Sequence, residues 1–305
     1  TDEGERFIVK IGGAAESVQE IRHQNAALAG LSAEGFPVPR AIENIEGDDV
    51  TGIVDSQNRG LHLRLLTYLP GRFYADVPAK DQAPELWRSL GSLLGRLDVA
   101  LLGLAQAQTS HYRLWDLAHG YVTCQDRKHA LDDEQTALVD YFLEFYRSEV
   151  LPLTGELPKS VIHNDANDHN LLVNEAGEPS EIIGLIDFGD MVYSHTINEL
   201  AIAAAYALMG HDDPLAVLEH LVASYHSERK LSEAEVDALY GLIALRLCTS
   251  VCNAATEIQA HPDNEYLLIS VRPAWDLLGK LRMQCATAIA DQLRQACNMP
   301  RIPAL

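Results

Sequence analysis

The sequence predicts an α+β fold of two lobes, a small β-rich lobe over 1–71 and a large, mainly helical lobe over 72–305. Three observations carry that expectation. Strand periodicity and turn residues dominate up to Leu69-Pro70-Gly71, helical periodicity dominates beyond it, and one β-patterned island interrupts the helices near 161–186. A chain of 305 residues, 47% of them apolar, with 20 Gly and 13 Pro spread along it, has the composition of a globular protein with a sizeable core.

The elements follow in order. Phe7-Ile8-Val9-Lys10-Ile11 has strand composition, with Phe7, Val9 and Ile11 on one face and Ile8 and Lys10 on the other. From 16 to 33, Ile21, Leu28 and Leu31 mark a helix stripe that includes Gln24, and Gly35-Phe36-Pro37-Val38-Pro39 stops it. Two β-rich stretches, 41–55 and 61–66, are separated by turn residues, as in antiparallel strands. Leu86, Leu90, Leu93, Leu94, Leu97, Leu101 and Leu104 then define a heavily buried helix. Further helical patterns cover 134–150, 197–210, 214–229, 232–258 and 274–297. Ser232 with Glu235 is a capping box, and Asp213-Pro214 is a helix start. The island comprises Val161-Ile162, Leu171-Leu172-Val173 and 182–186.

Composition narrows the function classes. With 44 acidic against 23 basic side chains, the net charge is −21, which repels polyanions, so neither nucleic acid nor an anionic membrane is an expected partner. Five cysteines in mostly apolar helical contexts suit reduced, buried thiols and a cytoplasmic protein. No uninterrupted apolar run suggests a spanning helix, and the first residues lack a signal-like pattern.

The polar residues fit for chemistry gather in and beside the island. His163-Asn164-Asp165-Ala166-Asn167-Asp168-His169-Asn170 runs straight into the apolar strand 171–173. Seventeen residues after Asn170 comes Asp187-Phe188-Gly189-Asp190, after the apolar Ile183-Gly184-Leu185-Ile186. Carboxylates at strand ends are aimed by a rigid sheet into one cleft. Phosphoryl transfer needs such a set: one carboxylate to accept the proton of an attacking hydroxyl, and oxygen ligands for a divalent cation on the nucleotide phosphates.

The pattern His-x-Asp-x-x-x-x-Asn followed by Ile-Asp-Phe-Gly resembles the kinase-like phosphotransferases of the aminoglycoside phosphotransferase and choline kinase superfamily. The resemblance extends over most of the chain. It takes in Ile8-Val9-Lys10-Ile11 as the lysine-bearing strand, 65–71 as the hinge, Trp115-Asp116-Leu117, and Asn198-Glu199-Leu200-Ala201 as a helix start. It implies a protein-kinase-like fold and an ATP-dependent small-molecule kinase that uses Mg²⁺, with GTP as an alternative nucleotide. Carried over position by position, it makes Asp165 the catalytic base, Asn170 and Asp187 the metal ligands, and His163 a structural brace. Lys10, Gln24, Thr67, Tyr68 and Leu69 become the nucleotide-binding residues.

Two departures stand out. Gln24 occupies the place of the helix glutamate that usually pairs with the strand lysine, although Glu20 lies one turn earlier. Lys10 is only the tenth residue, so the two strands and glycine-rich turn that cover the phosphates in such folds are not encoded before it, which suggests a partial N-lobe. Within the superfamily the likeness is greatest to hydroxylysine kinase and related amino-alcohol kinases, through 167–170, Gly189-Asp190-Met191 and 262–268. It implies a small hydroxylated amine as acceptor, with Asp190 or Glu265 for its ammonium group and Arg246 or Arg272 for any carboxylate. Kinases of this type can also be one module of a longer polypeptide. Two other readings of the same residues are a nucleotide-binding pseudokinase or regulatory module, suggested by Gln24 and the missing hairpin, and a metal-dependent hydrolase built on His163, Asp165, Asp168, His169 and Asp187.

Overall fold

The computed structural model describes residues 4–12, 16–104, 113–175, 177, 179–261 and 271–299. An antiparallel sheet forms first: β1 (Phe7–Gly12), β4 (Gly60–Thr67) and β2 (Ala41–Ile42) lie in that spatial order, and β3 (Thr51–Val54) also pairs with β4. The register sets Lys10 opposite Arg64 and Phe7 opposite Thr67. The predicted stretch 41–55 is thus two short strands with a turn between them. On β1 the alternation is reversed from a half-buried strand: Val9 and Ile11 are each 57% exposed, and Lys10 is on the more covered side.

Helix α1 (Val18–Ala33) packs across this sheet. Ser17 and Glu20 cap it reciprocally, at 3.2 Å from the Glu20 N–H to Ser17 Oγ and 2.9 Å from the Ser17 N–H to Glu20 Oε2. Its predicted stripe of Ile21, Gln24, Leu28 and Leu31 is buried throughout.

Past Gly71 the chain forms β5 (Arg72–Phe73), which pairs with β7 (Leu171–Val173), itself paired with β8 (Ile182–Leu185). The remaining island strand, β6 (Lys159–Ile162), pairs instead with β9 (Val192–His195), a strand the periodicity does not announce. These two small sheets hold the loops 163–170 and 186–191 between them.

Helices form the rest of the described chain: α2 (Pro84–Leu101), α3 (Gly120–Arg127), α4 (Asp133–Phe145), α5 (Ile197–Ala207), α6 (Pro214–Glu228), α7 (Glu233–Ala260), α8 (Val271–Arg282) and α9 (Ala286–Ala296). The leucine stripe of α2 is buried, and α2 lies close on α6 because Gly91 and Gly95 present no side chain there. A Cβ at Gly91 would stand 2.2 Å from the Leu221 carbonyl oxygen.

The pattern over 274–297 is two helices, broken at 283–285, and that over 134–150 ends in a widened turn at Tyr146–Val150. Contrary to the sequence reading, α7 has the length and hydropathy of a membrane-crossing helix. Of its apolar window 83% is buried inside the fold, where it is the central helix of the core. The capping box at Ser232 and the start at Pro214 are both present.

Candidate active site

The loop between β6 and β7 begins with Asn164 in the left-handed region at φ 68°, and Asp187 at the end of β8 also lies there at φ 63°. Such backbone is costly for residues other than glycine and persists where surrounding bonds hold it. Here the Asn164 N–H donates to Glu199 Oε2 at 3.0 Å, from a glutamate wholly buried at the start of α5. The Gly189 N–H donates to Asp187 Oδ1 at 3.3 Å. The two loops are also joined directly, since the Ile186 N–H donates to the Asn170 carbonyl at 2.9 Å.

His163 is fully buried and makes two bonds that define its tautomer. Nε2–H donates to the Ile186 carbonyl at 3.0 Å, and Nδ1 accepts from the Asp165 N–H at 3.2 Å. That arrangement needs a neutral ring, and burial lowers its pKa accordingly. The ring also packs edge-on against Phe188, 4.5 Å between centroids.

Asp165 is held from three sides. Asn167 Nδ2 donates to Oδ1 at 3.0 Å, Arg246 Nη2 donates to Oδ1 at 3.2 Å, and Asn170 Nδ2 donates to Oδ2 at 2.7 Å and to the Asp165 carbonyl at 2.8 Å. Burial raises the Asp165 carboxyl above the ordinary aspartate value. Arg246 and Asn167 oppose that, and nearby Asp187 adds to it. Asp187 goes the other way: burial pushes it up, but the ion pair with Lys10 and the Gly189 N–H outweigh burial and leave it lowered. Because the Asn170 amide turns its NH₂ to Asp165 and Asp187 takes its bonds at Oδ1, no hydrogen bond among the described residues is directed at Asn170 Oδ1 or Asp187 Oδ2. Two such oxygens are donors suited to a hard dication.

Beside these groups lies a largely apolar cavity of about 230 Å³, walled by Ile8, Leu66, Leu172 and Ile186. Thr67, Tyr68 and Leu69 line one side, and Lys10 and Asp187 form its polar end. Thr67 is fixed by two bonds to Arg40, each 2.9 Å, which leaves the following backbone to edge the cavity. Pro70 has no N–H, so Leu69 carries the last backbone donor of that segment.

Gln24 does not meet Lys10. Its Nε2 donates to the Gly189 carbonyl and to Glu16 Oε1, both at 3.2 Å, while the Lys10 amine is spent on Asp187. The expected helix-to-lysine contact is therefore replaced by a helix-to-loop contact, because an amide can donate to a carbonyl and a carboxylate cannot. Glu20 caps its own helix and lies 3.5 Å from Arg113 Nη2.

Of the four residues expected to face an acceptor, Asp190 is at this mouth. Burial and the neighbouring Asp165 raise its carboxyl, and Arg113 offsets part of that. Arg246 is only 2% exposed and is turned onto Asp165 rather than outward. Arg272 is exposed near the start of α8, with no contact to Asp165, Asp187 or Asp190 among the described residues. Glu265, with the rest of 262–268, lies outside the described residues.

Sequence reasoning missed Arg113. Its Nη1 donates to the Gly189 carbonyl at 3.0 Å and lies 3.6 Å from Asp190 Oδ1, so it ties the loop after Asp187 to α1 through Glu20. A single arginine two residues before Trp115-Asp116 carries no periodic or spacing signal.

Comparison with known proteins gives the family and the fold. Residues 1–239 match the model of the phosphotransferase enzyme family. Hydroxylysine kinase of Danio rerio is 32% identical over 292 residues, covering 92% of this chain and 81% of that protein. The Mus musculus hydroxylysine kinase is 28% identical over 297 residues, covering 92% and 78%.

Among solved structures, a microcompartment-associated aminopropanol kinase superposes with a TM-score of 0.68 at 18% identity, over 97% of this chain and 85% of that one. The amicoumacin kinase hAmiN, in complex with AMP-PNP, Ca²⁺ and Ami, gives 0.67 at 18%, over 94% and 86%. Those likenesses establish the fold, kinase-like with a mainly helical C-terminal part. By its sequence match, this chain belongs to the phosphotransferase enzyme family and is a small-molecule phosphotransferase.

Proposed function

We propose that the protein transfers the γ-phosphoryl group of ATP to the hydroxyl of a small amine of the hydroxylysine or amino-alcohol type. The observation that carries this reading is that Asp165, bonded to Asn170, lies near Asp187, which with Lys10 forms the polar end of the cavity edged by Thr67, Tyr68 and Leu69. The hydroxylysine kinases among its relatives, and an aminopropanol kinase among its structural neighbours, support the acceptor class. Support for a nucleotide with a divalent cation comes from the donor set and from the AMP-PNP and Ca²⁺ bound to the amicoumacin kinase.

In this reading Asp165 takes the proton of the acceptor hydroxyl as that oxygen bonds to the γ-phosphorus and the bond to the β,γ-bridging oxygen breaks, releasing ADP. Asn170 Oδ1 and Asp187 Oδ2 would hold Mg²⁺. When bound, the ion would offset charge on the phosphate oxygens. Lys10 sits on Asp187 and would pass to the α and β phosphates, leaving the carboxylate to the ion. Thr67, Tyr68 and Leu69 present backbone to the base. Gln24 acts on the nucleotide site only through Gly189, and His163 braces the loop. Asp190, close to Asp165 and partly exposed, is the carboxylate placed to meet an ammonium group.

The test is product formation. Incubation with Mg²⁺-ATP or Mg²⁺-GTP and 5-hydroxylysine, 1-amino-2-propanol, ethanolamine, choline, homoserine or an aminoglycoside is scored by product mass. Addition of one phosphoryl group to 5-hydroxylysine or an amino alcohol is the expected result. Phosphorylation of the aminoglycoside alone would overturn the acceptor class, and no product with a folded, nucleotide-binding protein would favour the pseudokinase reading.

A further inference from the structure

The sequence offered Arg246, or Arg272, for any substrate carboxylate, and the surroundings of Arg246 leave no room for one. It stands in the middle of α7 with its side chain 2% exposed. Nη1 donates to the Trp115 carbonyl at 3.2 Å, and Nη2 donates to Asp165 Oδ1 at 3.2 Å and to the Tyr206 hydroxyl at 3.3 Å. The guanidinium also lies over the Trp115 ring at 4.8 Å and the Tyr206 ring at 5.5 Å. A planar cation buried beside two aromatic rings and bonded through both Nη groups is held within a narrow range of orientations.

The bonds to Asp165 can be counted by lone pair. Each carboxylate oxygen has two in-plane acceptor positions. Arg246 and Asn167 fill both on Oδ1, whereas Asn170 fills one on Oδ2. One position remains, on Oδ2. Resting on the assignment of Asp165 as the base, we propose that Arg246 is a positioning residue: together with Asn167 it occupies Oδ1, so that Oδ2 receives the proton of the acceptor hydroxyl.

Without Arg246 the carboxylate would have a second open oxygen and freedom to turn, and the acceptor would bind as before but attack from misaligned geometries. A base contributes about 10²- to 10⁴-fold to such a reaction, so losing its alignment costs part of that range. The signature is a lowered kcat with little change in KM. An arginine that bound substrate carboxylate would instead raise KM, and only for acceptors that carry one.

The experiment compares Arg246→Met and Arg246→Lys with 5-hydroxylysine and with 1-amino-2-propanol, which lacks a carboxylate, under Mg²⁺-ATP. The Met variant should lose about 10- to 100-fold in kcat for both acceptors, with KM values within about 2-fold of wild type. The Lys variant keeps the charge, on one nitrogen that cannot span the partners of the guanidinium, and should recover part of the loss.

In an Asp165→Asn background, Arg246→Met should cost nothing further. Thermal unfolding and ATP binding report whether the Met protein is folded; if it is not, the kcat and KM of the Lys variant decide. A KM increase confined to 5-hydroxylysine, or an undiminished loss in the Asp165→Asn background, would overturn the proposal. An inactive Asp165→Asn protein beside Arg246 variants at full kcat would refute the arginine's role alone. Full turnover by Asp165→Asn would remove the base and the positioning role with it.

Discussion

The substitution Gln24→Glu restores the side chain that kinase-like folds usually carry at this position, and the structure predicts that it harms the protein. Gln24 is 2% exposed, and its Nε2 donates to both the Gly189 carbonyl and Glu16 Oε1 at 3.2 Å. A carboxylate loses both donations and sets a second negative charge against Glu16. Two unit charges at about 4 Å repel by about 4 kcal/mol at an effective dielectric of 20. Protonation of the new carboxylate limits the damage: keeping it neutral near pH 7 costs about 1.4 kcal/mol for each unit its pKa must rise.

Together with the lost bonds, a destabilisation of about 2–4 kcal/mol follows, since Arg113 still serves the Gly189 carbonyl. The introduced acid would have a folded pKa above its unfolded value. Its penalty is therefore small below about pH 4 and grows as pH rises toward the folded value. Urea unfolding at pH 5 and pH 8 should show the larger deficit at pH 8, and KM for ATP should rise as α1 loses its hold on the loop carrying Asp187. Unchanged stability at both pH values with a raised kcat/KM would mean that the introduced carboxylate recruits Lys10, and would refute the account of Gln24 as a loop clamp.

Asp165→Asn should lower turnover by about 10²- to 10⁴-fold while leaving ATP affinity by calorimetry within a few-fold of wild type; retained turnover would remove the base. Asp187→Asn should weaken Mg²⁺-dependent nucleotide binding more than binding measured in EDTA, because the change lowers the charge offered to a dication; equal losses under both conditions would argue against a metal role. Gly91→Ala should cost about 1–3 kcal/mol in urea unfolding, since its methyl would press on the Leu221 carbonyl, whereas Gly30→Ala on α1, with nothing within 4 Å, should gain about 0.5–1 kcal/mol. Asp98 is fully buried, and burial, then Glu199, raises its carboxyl against the opposing bond from Tyr225. A raised folded pKa gives stability that is full below about pH 4 and lost as pH rises. Asp98→Asn should therefore flatten the fall in stability toward pH 8, and a variant with the wild-type slope would refute that.

How much of this was legible in the sequence depends on whether the information is local. The strand bearing Lys10, the stripe of α1, the leucines of α2 and the caps at Ser232 and Asp213 follow from neighbours within one or two turns, and they form as expected. Loops 163–170 and 186–190 were readable because strand and turn chemistry flank them closely. Strand β9 was not, because Val192-Tyr193-Ser194-His195 is too short to show a period and exists by pairing with β6. The break at 283–285 has no proline or glycine to mark it. Arg113 and Arg246 were illegible as to role for one reason: an arginine's partner is set by tertiary packing, and the sequence gives only its charge. The same limit explains Gln24, whose position was readable and whose partner was not.

The buried polar groups behind the two loops explain why so few exposed residues are needed at the site. Glu199 holds the Asn164 N–H from α5, and Arg246 reaches Asp165 from α7. Both sit on helices buried in the core, α5 and α7, so neither can shift without opening core. An unpaired charge in such surroundings would cost more than the bond it makes returns, which means that each is stable only in the presence of the loop it supports. Loop geometry and helix packing are thus mutually conditional. The left-handed backbone at Asn164 is strain held in place by Glu199, as that at Asp187 is by the Gly189 N–H and Lys10. It follows that substitution of Glu199, which does not reach the cavity, should alter kcat more than KM, because it releases the geometry that aligns Asp165 while leaving the hinge and its cavity untouched.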